Sequence, residues 1–529
     1  MTTTLNQTVI VTWEEARSLL PDPILEHADD ALAAYWAAWK FTWDSLCVPS
    51  PDSAIKHPYI RLNFNNCLFM HDTTSMITYA KYAHRLFPGI GMLDNFYSRQ
   101  HRTGEICREI DAQDGRDIWP HRAGNRLRVT LGDPWASGHT DFEQARHYDW
   151  NPPVGAEEPQ PEVSVDGMND PPCMALAEVE YARISGDTSR FPTVFEHLSR
   201  LYKSFQTYRR DANGLFVTDW AIMDNSPRND FLGYGVDLIS QVSVLSQSLS
   251  EMALVVGNRE AHAYYQRETE NLRALIQGQF WNAASGFFHD VSREGKQIPI
   301  RTIAGFMPLQ AEACDEQQAR ALADHLSNPR TFGRPLRIPS LAADEPTYRD
   351  TGCYFRGAVW SFTNDAVIDG LQRYGLTDLA THIAVDHWAA AVSAFSTTGS
   401  FWENYSPETR SPGKSGDPLD SGHNARRDFS GFGITPIITY LLEYAIGLRP
   451  DAPNQCLAWH IQTTAATGCR RYPLGPHLYD LRCDARSDPE QPPTITVHGP
   501  GPLHLRITYG NGRTLHLHWN GDRLSDASR

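Results

Sequence analysis

Amphipathic helical segments recur in pairs along most of this chain. The clearest segment ends at Gly257 and repeats apolar residues every three or four positions: Leu238, Val242, Leu245, Leu249, Met252 and Val256. This spacing places the apolar side chains on one face of an α-helix, and a following glycine is a typical helix stop. A second helix is predicted from Glu260 to Phe280, followed by a short turn or hairpin. Each helix of such a pair has one face to bury.

The same order of helix, glycine-containing turn and helix is predicted elsewhere. Single helices are expected over about 23–47, 73–86 and 171–184, another reaches about Tyr208, and helix pairs are expected over about 301–327, 357–393 and 433–446. No alternation of strands and helices supports a parallel sheet. With about six pairs, the predicted fold class is mainly α: an (α/α)6 toroid barrel, in which two layers of helices close into a ring.

The C-terminal part of the chain has a different pattern. After Pro450, apolar residues alternate with polar ones, and Gly510-Asn511-Gly512 separates two such runs, which predicts a β-hairpin. The alternating histidines of these runs are interpreted as a solvent face rather than a metal site. The expected domains are a barrel over residues 1–449 and a small β-rich domain over residues 450–529.

A long irregular segment interrupts the predicted barrel at about 111–170. It is rich in Gly, Asp and Pro, and it contains Trp119, Trp135 and Trp150. Irregular segments of this length are uncommon in compact domains unless they are functional or disordered, and the tryptophans argue against disorder. We therefore expect a lid-like loop folded over the mouth of a pocket.

Charge and cysteine usage limit the possible partners. The formal net charge of −16 disfavours nucleic acid or an anionic membrane. No run of the sequence approaches the ~18–20 apolar residues of a membrane span. The nine cysteines are widely spaced and include no Cys-x-x-Cys pair, so neither a disulfide framework nor a zinc site is indicated. Free thiols and no recognisable export signal predict a cytoplasmic protein, and no cofactor or metal is expected.

The segment from Phe401 to Glu408 combines acidic and aromatic side chains. Glu403 lies among Phe401, Trp402 and Tyr405, and aromatic surroundings raise the cost of ionising a carboxylate. Aromatic faces beside an acid are also what a sugar site needs, because they stack on pyranose C–H groups while the acid or base works on the glycosidic bond. Glycoside hydrolysis usually requires two carboxyl groups, so a second one is expected elsewhere.

The best candidate for the second carboxyl group is Asp224. It is far from Glu403 in sequence, so only a closed tertiary fold brings the two together. Taken alone, Asp224-Asn225-Ser226-Pro227 is also an ordinary turn sequence. Asp219 is the alternative acid and Glu408 the alternative base, although Ser406-Pro407-Glu408 is typical of the capped start of a helix.

Several other residues allow both a binding and a structural interpretation. Asp72 precedes an apolar helix, where a carboxylate is most often a cap but can also accept bonds from sugar hydroxyls. Arg356, Trp360 and Asn364 recur at every fourth position, so one helix face is expected to present all three to a pocket. The alternatives are that Trp360 belongs to the core and that Arg356 forms a structural ion pair.

Six segments, in this order between about residues 60 and 445, carry a family resemblance: Phe69-Met70-His71-Asp72, Leu93-Asp94-Asn95-Phe96-Tyr97, Met223-Asp224-Asn225-Ser226-Pro227-Arg228, Tyr354-Phe355-Arg356-Gly357-Ala358-Val359-Trp360, Thr363-Asn364 and Trp402-Glu403-Asn404-Tyr405. Together with the helix pairs, they resemble glycoside hydrolase family 63 and its relatives, which include mannosylglycerate hydrolases and, more remotely, trehalases. One such segment alone is a weak signal, whereas six in the order of the family are a strong one.

The resemblance implies an inverting, exo-acting glycosidase that cleaves an α-glycosidic bond in a small glycoside or oligosaccharide. It assigns the general acid to Asp224 and the general base, which activates water, to Glu403. The expected partner is a small carbohydrate. The residues expected to bind it are Phe64, His71, Asp72, Gln241, Arg356, Trp360, Asn364, Trp402 and Tyr405.

The chain departs from the family pattern at three places. Relatives commonly have Trp where this chain has His71, Glu-Ser-Gly where it has Trp220-Ala221-Ile222, and Trp where it has Phe432. These changes predict a reshaped sugar pocket.

Two other classes of function fit the same barrel. One is a non-catalytic carbohydrate-binding protein, which the presence of both carboxylates argues against. The other is a polysaccharide lyase or an epimerase, and these enzymes rely on Tyr/His or paired His rather than on widely separated carboxylates.

Overall fold

The computed structural model describes residues 11–101, 104–113, 115, 172–218, 223–231, 233–419 and 421–526. Within these ranges, six inner helices form a closed ring: Met70–Ala80, Met174–Ser185, Val236–Val255, Met307–Gln310, Ser361–Arg373 and Pro436–Ala445. Among the first five, each packs against the next, and Ser361–Arg373 contacts the turn Phe432–Ile434 that precedes the last helix. This turn and the last helix both contact the first helix, which closes the ring. The ring surrounds a single axis, as the toroid prediction requires.

A second layer of helices packs around this ring. Its longer members in the described chain are Asp29–Asp44, Phe191–Tyr208, Arg259–Phe280, Glu316–Ser327 and Thr377–Thr398, and Trp13–Leu19 and Asp94–Tyr97 are shorter helices outside the ring. Arg259–Phe280 lies along Val236–Val255, and Thr377–Thr398 packs against both Ser361–Arg373 and Pro436–Ala445. The predicted mainly α, (α/α)6 toroid is confirmed.

Local sequence signals explain the clearest helix pair. Gly257 follows the helix Val236–Val255 with φ 77°, a left-handed conformation that glycine adopts without steric cost. Asn258 then caps the helix Arg259–Phe280, because its side chain accepts a backbone hydrogen bond from the first turn. The predicted hairpin after this helix is present as two short paired strands, Trp281–Asn282 and Phe287–Phe288.

Two predicted helix boundaries are wrong. The helix predicted over 23–47 begins at Asp29, because Asp22–Leu25 is a strand that pairs with residues 467–470. Pro23 lacks a backbone donor and therefore favours this edge strand over a helix interior. The helix predicted after Asp72 begins at Met70, so Asp72 lies in its first turn and does not cap it. In that position the carboxylate still lies near the positive end of the helix dipole.

The C-terminal part of the described chain forms two β-sheets. One contains, in order, Asp22–Leu25, Thr467–Leu474, His477–Cys483 and Ile495–His498, and the other contains Leu448–Asp451, Cys456–Ile461, Leu503–Tyr509, Arg513–Trp519 and Leu524–Asp526. The predicted hairpin is confirmed, since Leu503–Tyr509 pairs antiparallel with Arg513–Trp519. The strand Asp22–Leu25 ties the start of the barrel to this region. The boundary between residues 449 and 450 stays a prediction.

Short strand pairs hold the loops between helices. Leu46–Cys47 pairs with Tyr59–Ile60, Cys67–Phe69 with Glu109–Asp111, and Val359–Trp360 with Asn404–Tyr405. Most of the predicted lid, residues 116–170, lies outside the described residues. None of the helices that the structure describes combines the length and apolar character needed to cross a membrane.

Candidate active site

Glu403 is fixed in the segment between the helix Thr377–Thr398 and the short strand Asn404–Tyr405. Its backbone N–H donates to the carbonyl oxygen of Arg426 at 3.0 Å, and the next residue pairs with Trp360. The residue is only 3% exposed. Backbone hydrogen bonds to two other segments of the chain therefore hold Glu403 in place.

Three hydrogen bonds orient the Glu403 carboxylate. Oε1 accepts bonds from the Tyr354 hydroxyl at 3.3 Å and from Arg426 Nη1, and Oε2 accepts one from the Arg426 backbone N–H at 3.1 Å. Burial raises the pKa of Glu403 above its ordinary value, whereas the charge of Arg426 and the bonds from both residues oppose that rise. Burial thus favours the protonated form of this carboxyl group, and Arg426 and Tyr354 favour the ionised form.

Arg426 also joins Glu403 to an aromatic surface. Its guanidinium carbon lies 4.6 Å from the ring centroid of Phe64, a cation–π geometry. Phe64 stacks on Phe429 at a centroid distance of 5.7 Å, and it is 39% exposed. Trp402 is half-buried, and its Nε1 donates to a hydroxyl on the preceding helix at 2.9 Å. Two of the predicted sugar-stacking residues, Phe64 and Trp402, thus keep accessible surface near Glu403.

The turn that carries Asp224 is clamped by Asn225. The Asn225 side chain accepts a hydrogen bond from the Phe355 N–H at 2.8 Å and donates one to the carbonyl oxygen of Cys353 at 3.3 Å. These two bonds lie on either side of Tyr354. The Asp224 turn is therefore joined directly to the loop that supplies the tyrosine bonded to Glu403.

A buried ion cluster holds the other end of the same turn. Arg228 is fully buried and donates two bonds to Asp237, at 2.6 and 2.8 Å, and one to Asp290 at 2.7 Å. Asn229 Nδ2 donates to the carbonyl oxygens of Met223 and Asp224, at 2.8 and 3.2 Å. Because an unpaired buried charge is strongly destabilising, the cluster fixes the turn against the inner helix Val236–Val255.

Tyr354 lies within electrostatic reach of both candidate carboxylates. Burial raises the pKa of its hydroxyl well above the ordinary range, and the negative charges of Glu403 and then of Asp224 raise it further. Such an effect requires short distances, because screening weakens charge interactions rapidly with separation. The fold thus brings the segments of Asp224 and Glu403 to the same tyrosine.

The prediction that Arg356, Trp360 and Asn364 share one helix face is wrong. Arg356 ends a short 3-10 turn, Trp360 lies in a strand, and only Asn364 lies in an α-helix. Gly357, with φ 144°, breaks the helical path between them. Arg356 Nε instead donates to the carbonyl oxygen of Asn225 at 2.9 Å, so this arginine supports the Asp224 turn.

Three of the predicted binding residues are buried among neighbouring side chains. Trp360 is 2% exposed and stacks on Phe355 at a centroid distance of 4.6 Å. Asn364 is 0% exposed and donates to His387 Nδ1 at 3.2 Å, and Tyr405 is 2% exposed. In the structure they support the surrounding walls, and a direct role in sugar binding stays a prediction.

The remaining predicted residues lie toward the axis of the ring. His71 and Gln241 line a cavity of about 170 Å³ to which all six inner helices contribute. Asp72 is buried beneath Gly431, where an added Cβ would lie 2.9 Å from its Oδ1. The lining of this axial cavity includes Met223, the residue before Asp224, but neither Asp224 nor Glu403 themselves.

The deeper end of the axial cavity is charged. Lys81 Nζ and the Glu443 carboxylate form an ion pair at 2.7 Å. Burial, and then the charge of Glu443, raises the pKa of Asp365 to about 8. This rise favours the protonated form of Asp365, which limits the negative charge in this part of the interior. Within the described residues, no group of three or more His, Cys, Asp or Glu side chains has the arrangement of a metal site.

Of the two alternative carboxylates, the structure describes only Glu408. Asp219 is outside the described residues, as are Trp220, Ala221 and Ile222. Glu408 accepts two bonds from Arg334, at 2.7 and 2.8 Å, and one from the Tyr348 hydroxyl at 2.8 Å. No helix begins at residues 406–408, but the Ser406 hydroxyl caps the turn at 407–409 by accepting bonds from the N–H groups of Glu408 and Thr409, at 3.3 and 3.2 Å.

Tyr354 and Arg426 are the site residues that sequence reasoning missed. Tyr354 begins one of the six family segments, and the glycines at 352 and 357 mark an unusual backbone path around it. Arg426 belongs to no such segment. A cation near a buried acid is a general expectation, but nothing in its own neighbourhood identifies this arginine as the partner of Glu403.

A closed ring of paired helices that brings two remote carboxylates to one tyrosine is the arrangement of a helical-toroid glycosidase. A family model described as the mannosylglycerate hydrolase MGH1-like glycoside hydrolase domain matches residues 110–423, more than half of the chain. The chain belongs to this family and is a glycoside hydrolase. The resemblance to glycoside hydrolase family 63 is confirmed.

Similar sequences include characterised hydrolases over short stretches. A mannosylglycerate hydrolase from Thermus thermophilus is 32% identical over 130 residues, which are 24% of this chain and 30% of that protein. Mannosylglycerate hydrolase MGH1 from Selaginella moellendorffii is 34% identical over 120 residues, 22% of each chain. An uncharacterized protein from Borreliella burgdorferi is 24% identical over 324 residues, 59% of this chain and 67% of that protein. The matches to the two named hydrolases thus span less than a third of their length.

Solved structures share the fold over a longer range. The GH63 mannosylglycerate hydrolase from Thermus thermophilus in complex with glucose has a TM-score of 0.55 at 16% identity, covering 77% of this chain and 99% of that one. A GH78 family rhamnosidase from Bacillus sp. GL1 has a TM-score of 0.61 at 12% identity, covering 93% of this chain and 43% of that one. At these identities the likeness establishes the fold alone.

Proposed function

We propose that this protein is an inverting, exo-acting glycosidase that cleaves an α-glycosidic bond in a small glycoside or oligosaccharide. Asp224 is the general acid and Glu403 is the general base. The observation that carries the proposal is the position of Tyr354, whose hydroxyl is bonded to Glu403 and lies within electrostatic reach of Asp224. An inverting mechanism needs two carboxyl groups ~6.5–9.5 Å apart, with room for one water between them.

The hydrogen bonds of Glu403 support its role as the base. A carboxylate has about four acceptor positions on its two oxygens. Oε1 is engaged by Tyr354 and Arg426, whereas Oε2 accepts only the Arg426 N–H within the described part of the chain. The free acceptor position of Oε2 is therefore where the reacting water is bound and deprotonated.

The surroundings of Asp224 support its role as the acid. Asp224 is half-buried, and Met223 beside it is 3% exposed, which supplies an apolar wall. A general acid must hold its proton near neutral pH until the leaving oxygen accepts it. Asn225 and Arg228 hold the turn in place, so the proton is delivered from a fixed position to the leaving oxygen.

The substrate class follows from the walls of the site. Phe64 and Trp402 offer aromatic faces for a sugar ring, and His71 and Gln241 offer polar groups in the axial cavity. Asp72, which is buried beneath Gly431, is proposed as a further acceptor for sugar hydroxyls. The named relatives are mannosylglycerate hydrolases, so an α-mannoside of a small organic acid belongs among the candidate substrates. None of the nine cysteines, all of which lie in the described residues, belongs to a disulfide, which supports the proposed cytoplasmic location.

A panel of α- and β-linked glycosides tests this function. It includes α-mannosylglycerate, α-glucosides and α-rhamnosides with small aglycones, and short oligosaccharides. We expect release of one monosaccharide from the non-reducing end of at least one α-linked member, and no release from the matched β-linked member. Cleavage of internal bonds would contradict exo action. Binding of a sugar without any hydrolysis, detected by calorimetry, would favour the carbohydrate-binding alternative.

A further inference from the structure

The Tyr354 hydroxyl forms hydrogen bonds with both the candidate base Glu403 and its partner Arg426. It donates to Glu403 Oε1 at 3.3 Å and accepts a bond from Arg426 Nη1 at 2.9 Å. On the basis of the proposed function, we propose that Tyr354 is a positioning residue for the base. Together with Arg426 it holds Oε1, so that Oε2 faces the reacting water.

The backbone of Tyr354 supports a positioning role. Tyr354 has φ 49°, in the left-handed region that residues with a side chain rarely adopt. Gly352 has φ 78°, and an added Cβ there would lie 2.9 Å from the Cα of Ser406, so this loop is pressed against the segment that follows Glu403. Backbone strain of this kind persists only where surrounding contacts maintain it, and it occurs preferentially at functional sites.

Asn225 supplies the contacts that maintain this conformation. Its side chain bonds the N–H of Phe355 and the carbonyl oxygen of Cys353, the two neighbours of Tyr354. Asn225 directly follows Asp224 in the chain. The conformation that directs the tyrosine toward the base is therefore held by the turn that carries the acid, and the positions of the two carboxylates are coupled through Tyr354.

The charges around Glu403 and Tyr354 determine whether the tyrosine hydroxyl stays protonated and how it affects the pKa of Glu403. Arg426 and Tyr354 act on Glu403 directly, and Asp224 and the ring of His423, 5.3 Å away, face Tyr354. Burial and the two carboxylates raise the pKa of the tyrosine, so it remains a donor throughout the working pH range. Burial raises the pKa of Glu403, and the tyrosine bond lowers it. Loss of the hydroxyl therefore raises the pKa of Glu403.

The expected direction of this change in the Glu403 pKa distinguishes a positioning role of Tyr354 from a purely structural one. The acidic limb of the kcat/KM profile reports the pKa of the base in the free enzyme. We expect Tyr354→Phe to move that limb upward by about half to one pH unit, the scale of one hydrogen bond to a carboxylate. The loss of kcat/KM then grows as the pH falls through the limb and levels off below it at about three- to tenfold more than the loss on the plateau, which stays within roughly tenfold.

Tyr348→Phe is the matched control. The Tyr348 hydroxyl bonds Glu408, which also pairs with Arg334, so the variant removes a tyrosine–glutamate bond from a similar cluster that lies outside the site. We expect its pH profile to match that of the unmodified enzyme. Thermal unfolding of both variants verifies that they are folded at each assay temperature.

The outcomes separate this inference from the function on which it rests. An unchanged acidic limb in Tyr354→Phe, with Glu403→Gln inactive, overturns the positioning role and leaves the proposed function intact. A similar shift in the Tyr348→Phe control also overturns it, because the effect is then not specific to the site. If Glu403→Gln remains active, the proposed function itself fails.

Discussion

Asp224→Asn is expected to lose more activity on substrates whose leaving oxygen must be protonated than on substrates whose leaving group departs as a stable anion. For an alkyl glycoside or an oligosaccharide, the departing oxygen must be protonated, and loss of a general acid lowers turnover by roughly 10²- to 10⁴-fold. For a dinitrophenyl glycoside the departing oxygen is stable as an anion, so the same variant should cleave it at nearly the normal rate. The measurement is kcat/KM for both kinds of substrate, with the unmodified enzyme in parallel.

Asp230→Asn controls for the charge change. Asp230 lies on the same turn, in the short helix Pro227–Asp230, and is exposed. Its replacement should leave both substrates unaffected. An equal loss on both substrates in Asp224→Asn would assign Asp224 to a role other than proton donation, and near-normal turnover of the alkyl glycoside would remove it from catalysis.

Glu403→Gln is expected to lose activity whatever the leaving group. The glutamine amide has nearly the shape of the carboxylate but cannot accept a proton from water, so turnover should fall by roughly 10²- to 10⁴-fold on alkyl and dinitrophenyl substrates alike. Azide is a nucleophile that needs no deprotonation and can replace the water. Added azide should therefore restore cleavage of the dinitrophenyl substrate, with a glycosyl azide as the product. Kinetics with and without azide, together with circular dichroism to verify folding, provide the measurement.

Glu408→Gln distinguishes Glu403 from the alternative base. Glu408 has comparable partners in Arg334 and Tyr348. Because its oxygens are occupied away from Tyr354 and Arg426, we expect this variant to retain activity. Severe loss in Glu408→Gln together with normal turnover in Glu403→Gln would transfer the base role to Glu408.

The ring of paired helices was predictable because its signal is local. The spacing of Leu238, Val242 and Leu245 follows from the turn of the helix itself, and Gly257 marks the helix end through its own conformational freedom. The C-terminal hairpin was predictable for the same reason. The start of the first long helix was not, because the strand Asp22–Leu25 forms only by pairing with Thr467–Leu474, far along the chain.

The site was only partly predictable because its geometry depends on contacts between remote segments. The segments of Asp224 and Glu403 were identifiable from their residues, but the link between them is the bond from Asn225 to the loop of Tyr354. The four-residue spacing of Arg356, Trp360 and Asn364 misled the prediction because Gly357 ends the helical path after Arg356. Arg426 meets Glu403 through backbone pairing within one long loop, and no residue pattern in the sequence marks that pairing.

The stereochemistry of the first product tests the pairing of Asp224 with Glu403 most directly. One water activated by Glu403 attacks the anomeric carbon from the face opposite the bond that Asp224 protonates. We therefore predict that ¹H NMR during the first minutes of cleavage of an α-glycoside shows the β-anomer first, with the α-anomer appearing later by mutarotation. Initial accumulation of the α-anomer would mean two displacements through a covalent intermediate and would contradict the account.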